Sequence, residues 1–161
     1  MTLNKRDAQN EFKQLAFPHM QLLYNVALKY CGNVFDAQDI VQETYMMAFN
    51  NFHQLRDKSK CKPWLFRILR NNFLKNYQKS KQQQQLADGD YVEFLKTSLA
   101  TDSAATLLEK AQVQKVLRAA IDALPVKYKD VLILYYMDEL LYKEIAQILN
   151  IPIGTVMSRL N

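Results

Sequence analysis

Tyr142-Lys143-Glu144-Ile145-Ala146-Gln147-Ile148-Leu149, then Asn150-Ile151-Pro152, then Ile153-Gly154-Thr155-Val156-Met157-Ser158-Arg159-Leu160 reads as a helix, a tight turn and a last helix opening around Gly154. Ala146 is small where two helices must cross closely, and Ile145, Leu149, Ile151, Val156 and Leu160 supply an apolar wedge between them. That leaves Thr155, Met157, Ser158 and Arg159 on the exposed N-terminal part of the second helix. Short hydroxyls and a guanidinium in that place suit phosphate and base-edge contacts on duplex DNA. An ordinary helical hairpin has the same spacing, so this stretch alone leaves both readings open.

The rest of the chain keeps the same helical periodicity. Leu107, Leu108, Ala111, Val116, Leu117, Ala120, Ile121 and Leu124 recur at helical intervals until Pro125, and a further helix spans Val126 to Met137 before Asp138-Glu139. Towards the N-terminus, apolar positions from Phe12 to Tyr30 fall at threes and fours, divided by Pro18 and stopped by Gly32-Asn33. Asp36 is a suitable N-cap for a helix running to Asn51, with Ala37, Ile40, Val41, Thr44 and Ala48 on one face. Phe52 to Lys62 reads as a loop, and Pro63 sits in the first turn of a helix reaching Lys81. Between these parts lie a short glutamine run, Gln82 to Gln85, then Asp88-Gly89-Asp90 and a Thr/Ser/Ala-rich stretch. The expectation is an all-α protein with two small helical domains, 1–81 and 107–161, joined by a flexible linker, 82–106.

Composition removes several classes. With 3 glycines and 4 prolines in 161 residues, a turn-rich β-sandwich or barrel is excluded, and 49% apolar residues exclude wholesale disorder. No apolar run approaches the roughly 20 residues that span a bilayer, and no apolar stretch follows the charged N-terminus. The expectation is therefore a cytoplasmic protein without membrane insertion, with Cys31 and Cys61 as reduced thiols. His19 and His53 are the only histidines, neither in a nucleophile–base pattern nor among enough ligands for zinc, and no Gly-rich phosphate loop occurs. No enzyme active site, metal or cofactor is expected.

Charge is concentrated. The chain carries +5 overall, whereas residues 56–81 hold nine basic residues against Asp57 alone, a local +8. Within that segment Arg67, Arg70, Asn71, Leu74, Gln78 and Lys81 share one helical face, opposite Leu65, Ile68, Leu69 and Phe73. Phe52, His53, Trp64, Phe66 and Tyr77 lie nearby. Cations tracking a backbone beside rings on which bases stack suit single-stranded nucleic acid; packing into the core is the other reading of Trp64 and Phe66. On the preceding helix, Asp39, Gln42 and Glu43 form a polar stripe that fits either solvent or a cationic partner helix.

Taken in order, Asp36-Ala37-Gln38-Asp39-Ile40-Val41-Gln42-Glu43-Thr44, Pro63-Trp64-Leu65-Phe66-Arg67-Ile68-Leu69-Arg70-Asn71, Leu124-Pro125 and the segment from Glu144 to Leu160 resemble the bacterial sigma-70 family, and the two-domain brevity resembles its extracytoplasmic-function group. The resemblance implies a sigma factor that binds core RNA polymerase and promoter DNA and directs initiation, the polymerase supplying the catalysis. It implies that Asp39, Gln42 and Glu43 dock on the polymerase. It places Phe52, His53, Lys60, Lys62, Trp64, Arg67, Arg70, Asn71 and Lys81 at the melted minus-ten strand. It assigns Lys143, Thr155, Met157, Ser158 and Arg159 to the minus-thirty-five duplex, and it implies an anti-sigma factor as regulatory partner. The alternative is a helix-turn-helix repressor or activator acting without polymerase, which would need neither the acidic stripe nor the Trp64–Lys81 face.

Three positions depart from the family pattern: Met157 where a basic residue is common, Lys75 where an acid is frequent, and Pro63 in place of alanine. The sequence stops about two turns into the last helix, where the family continues with further arginines, so the expectation is a recognition helix cut short.

Overall fold

A computed structural model describes residues 5–83, 104–136 and 140–161, with side chains placed for 6–78, 110–136 and 140–161. The expected linker lies largely in 84–103, outside the described residues, as do Met137, Asp138 and Glu139. The described residues are helical: α1 (Lys5–Ala16), α2 (Met20–Cys31), α3 (Val34–Asn50), α4 (Cys61–Gln83), α5 (Ala104–Ala123), α6 (Val126–Tyr135), α7 (Tyr142–Leu149) and α8 (Ile153–Leu160). Short 3-10 turns occupy Phe17–His19, Phe52–Gln54 and Lys58–Lys60. α4 and α5 thus reach into the two ends of the segment read as linker.

In the N-terminal block α2 packs on α3 and α3 on α4. Ala27, Ala37 and Ala48 are fully buried, and their small side chains let the helices approach closely around Leu23, Val26, Ile40, Leu65, Phe66 and Leu69. Two buried polar groups inside this core satisfy each other: the Thr44 hydroxyl donates to Ile40 O at 2.7 Å and accepts from Asn72 Nδ2 at 3.3 Å. At the far end Phe12 meets Phe17, Tyr45, Phe49 and Phe52 edge-to-face, with centroids 5.2–6.4 Å apart.

Helix boundaries correct one expectation. The N-cap of α3 is Asn33, whose Oδ1 accepts from Asp36 N at 2.8 Å while its Nδ2 donates to Asp36 Oδ2 at 2.7 Å. Asp36 therefore lies inside the first turn instead of starting the helix, its backbone N–H and its carboxylate both bonded to the Asn33 side chain. Gly32 ends α2 with φ +78°, a conformation open to glycine, and a Cβ there would sit 2.9 Å from the Arg118 guanidinium carbon.

The C-terminal block buries Val131, Ile133, Leu134, Leu140, Ile145, Ile148 and Val156 among α6, α7 and α8. The α7–α8 turn rests on Asn150, left-handed at φ 54°, which lets Ile151 N–H close on Ala146 O at 3.0 Å. The apolar pattern of α5 does not mark a core face: Val116 is 70% exposed, and Val113 and Leu117 are exposed with it. Arg118 fastens α5 to the N-terminal block, donating to the carbonyls of Lys29 and of Tyr30, the latter at 2.7 Å.

Candidate nucleic-acid interface

The basic face lies along the first half of α4, where Leu65, Phe66, Leu69 and Phe73 are held by the core and Lys62, Arg67, Arg70 and Asn71 turn the other way. The C-terminal block covers much of that face. Lys62 Nζ pairs with Glu144 Oε1 at 3.0 Å, and Arg67 Nη2 donates to Gln147 O at 2.8 Å, both acceptors on α7. Arg70 binds the Asp130 carboxylate of α6 through a single oxygen, Nε and Nη2 lying 2.7 and 2.6 Å from Oδ2, while Tyr30 OH donates to Oδ1 at 3.0 Å. Asn71 remains exposed. Lys129 adds a cationic contact from α6, its ammonium 5.7 and 5.5 Å from the Phe73 and Tyr77 ring centres.

The remaining residues expected at the minus-ten strand separate. Phe52 is 5% exposed, wedged against Phe12 with Lys58 Nζ 3.4 Å above its ring, and so is core, not a platform for a base. Phe66 is likewise core. Trp64 is half-buried and shares a small cavity with Lys60, Arg67, Gln147 and Asn150 at the junction with α7. His53 and Lys60 are exposed, Lys60 lying 3.7 Å from Asp57. The Ser59 hydroxyl and N–H donate to Asp57, the hydroxyl at 2.6 Å, and hold that carboxyl below its usual range. The Lys81 side chain is outside the described residues.

α8 keeps its outer face open. Met157, Ser158 and, on α7, Lys143 are exposed; Thr155 and Arg159 are half-buried, and Arg159 reaches Lys127 O at 3.5 Å. Val156 is fully buried against the block's core, so α8 cannot rotate without losing that packing.

The acidic stripe is split between two surroundings. Gln42 borders an apolar groove of about 780 Å³ lined by Phe17, Met20, Tyr45, Met46 and Phe49, with Met46 61% exposed. Asp39 and Glu43 border a separate cavity of about 440 Å³ walled by Tyr77, Arg118 and Asp122. The groove was not anticipated from the sequence; its signal there is the set of large apolar residues Phe17, Met20, Met46 and Phe49, all of which stay exposed.

Both cysteines are free thiols. Burial pushes Cys31 from its ordinary 9.0 up to about 11, reinforced by Asp36 and opposed by Arg118 and Lys129. No cluster of three metal-ligating side chains and no helix long and apolar enough to cross a membrane occurs among the described residues.

Comparison with known proteins accounts for this arrangement. Residues 17–83 match the Sigma-70 region 2 model and residues 114–161 the Sigma-70 region 4 model. The chain is 31% identical to the ECF RNA polymerase sigma factor SigW of Bacillus subtilis, covering 98% of this chain and 87% of that protein. It is 34% identical to SigM of the same organism over 83% of this chain and 78% of that protein. The sigma factor RpoE of Bartonella quintana, solved in complex with the anti-sigma factor NepR, shares the fold with TM-score 0.64 at 24% identity, over 92% of this chain and 88% of that one. Two sigma-70 regions in order, with relatives of the same kind along nearly the whole length, make this chain a member of the sigma-70 family, in its extracytoplasmic-function group.

Proposed function

We propose that this sigma factor docks on core RNA polymerase through the apolar groove of α1–α3 together with Asp39, Gln42 and Glu43, and reads promoter DNA with two separate surfaces. In this reading the polymerase carries out the chemistry and the chain contributes positioning. Lys60, Lys62, Trp64, Arg67, Arg70, Asn71 and His53 engage the melted minus-ten strand, with Lys81 further along α4. Lys143, Thr155, Met157, Ser158 and Arg159 engage the minus-thirty-five duplex. An unpaired strand needs cations along its backbone and a firm pocket for an extruded base, whose unstacking costs a few kcal/mol. Trp64, packed against the core at the start of the cationic face, provides the rigid wall. By similarity to the RpoE–NepR pair, an anti-sigma factor is the regulatory partner.

The observation that carries this reading is the pairing of a helix bearing Lys62, Arg67, Arg70 and Asn71 with a separate helix-turn-helix in one short chain. A duplex-binding repressor would need only the second. Core-polymerase pull-down tests it: the native chain is retained, and Asp39→Arg with Glu43→Arg loses retention while its circular dichroism stays native. Equal retention of both would remove the docking assignment.

A further inference from the structure

We propose, resting on the functional reading above, that α8 selects thymine in the minus-thirty-five duplex, Ile153 and Met157 forming an apolar clasp for the C5-methyl group in the major groove. The two side chains stand four residues apart on one face of α8, and they are 49% and 48% exposed. Val156, fully buried, fixes the rotation of the helix, so this face looks outward. Two polar side chains of α8 are engaged within the chain. The Ser158 hydroxyl donates to Thr155 O at 3.1 Å, and the Arg159 guanidinium is drawn back to Lys127 O at 3.5 Å. What α8 offers a groove is therefore chiefly apolar, with the exposed cation Lys143 supplied by α7.

The C5-methyl of thymine is the apolar feature among the base edges of the major groove, where the other groups are donors and acceptors. An apolar pair pressed on those donors and acceptors strips them of water and returns no hydrogen bond. Pressed on a methyl, the same pair buries carbon on carbon. Selectivity thus comes as much from rejecting the other bases as from holding thymine. Met157 is unbranched and polarizable, and it adapts its shape to such a contact. A basic side chain at 157 would instead grip a phosphate or guanine. Gly154, beside Ile153 on the outer face, permits the close approach. Its backbone is helical, and a Cβ added there would meet nothing within 4 Å. Neither a left-handed φ nor internal packing calls for glycine at this position, where alanine would favour the helix. A duplex edge lying against bare backbone does call for it.

The test uses holoenzyme assembled from core RNA polymerase and the full chain, with the chain alone beside it. Each selects from a duplex library randomised over one helical turn, and the bound fraction is sequenced. Affinity for the selected duplex is then measured with deoxyuridine in place of thymidine, which removes the methyl and keeps the base pair. The native protein is expected to select thymine and to lose about four-fold in affinity for each contacted methyl removed, the contribution of one buried carbon. Met157→Ala should bind the thymine and uracil duplexes alike, and Ile153→Ala gives the same reading if Met157→Ala fails to fold. Met157→Lys should lose the thymine preference while its log–log salt slope steepens by about 0.9. Gly154→Ala should keep the native melting temperature and bind every duplex several-fold more weakly. Selection without thymine, a native protein indifferent to uracil, a uracil penalty undiminished in Met157→Ala, or native affinity in Gly154→Ala would overturn the proposal and leave the proposed function standing. Loss of polymerase retention in Met157→Ala with thymine preference intact would assign the pair to a protein contact, and would overturn it as well. Methyl-dependent selection by the chain alone, in a preparation that core polymerase does not retain, would keep the proposal and overturn the proposed function. Selection of no duplex by either preparation would overturn both.

Discussion

Removing Arg70 should cost more than removing its partner. In Arg70→Ala the Asp130 carboxylate, 2% exposed, loses both guanidinium hydrogen bonds and keeps Tyr30 OH as its remaining donor. Breaking a buried ion pair from one side costs about 3–5 kcal/mol, because the charge left behind has no counter-ion. The Arg70 side chain is itself 25% exposed, which admits water and places the expected loss near the lower figure, about 3 kcal/mol. For a chain of this size each kcal/mol moves the melting temperature by about 2–4 °C, so the midpoint should fall by about 6–12 °C. In Asp130→Ala the remaining guanidinium can turn to solvent, and the loss should stay within about 1–2 kcal/mol. The double variant should recover much of the Arg70→Ala penalty, giving a coupling of at least about 1.5 kcal/mol. Calorimetry at low salt, with scattering to detect separation of the blocks, measures all four corners. A coupling under about 0.5 kcal/mol without expansion, or Asp130→Ala as the more damaging single change, would refute the reasoning.

Other consequences follow from the same surfaces. Holoenzyme binding to promoter fragments should weaken with salt: about four to six neutralised phosphates contribute a log–log slope of roughly −4 to −5, and a flat dependence would remove the electrostatic role of the +8 segment. In holoenzyme, Arg67→Ala with Arg70→Ala should reduce permanganate reactivity of the minus-ten strand more than closed-complex formation; equal losses would make these arginines general phosphate contacts. Cys31, raised by burial to about 11, should react about ten-fold more slowly than an ordinary thiol at pH 8, since about 100-fold less thiolate is partly offset by its greater nucleophilicity. Because the unfolded chain releases this proton near 9.0 while the folded chain retains it, stability should decline as pH climbs from 9.0 towards 11, and a pH-independent melt there would contradict the burial.

What was readable in the chain beforehand depended on the range of the interaction. The α7–α8 hairpin was legible because its signals are local: Ala146 at the crossing, an Asn150 stop and an apolar wedge within one short stretch. The stripe Leu65, Ile68, Leu69 and Phe73 was legible by helical period: Leu65, Leu69 and Phe73 are buried, and Ile68 is half-buried against the same core. Asp36 misled because it is a good N-cap type, but Asn33, three residues earlier, caps the helix and Asp36 only holds the Asn33 side chain in place. Phe52 looked like a loop aromatic because its partner Phe12 lies far away in the chain. Val116 and Leu117 have a core-like period and are exposed, since period alone does not say whether another element arrives to cover a face. Asp130 gave no signal at all. It is one acid before an apolar run, and its partners Arg70 and Tyr30 are 60 and 100 positions away. The covering of the α4 cations by α6 and α7 is a property of how the blocks meet, and no local pattern encodes it.

Run-off transcription tests most directly whether one short chain delivers the two proposed DNA-reading surfaces to the polymerase. Core RNA polymerase mixed with this protein and genomic promoter fragments should produce discrete transcripts that vanish when the protein is omitted. A reaction with neither a stable complex nor any RNA dependent on the added protein would contradict it.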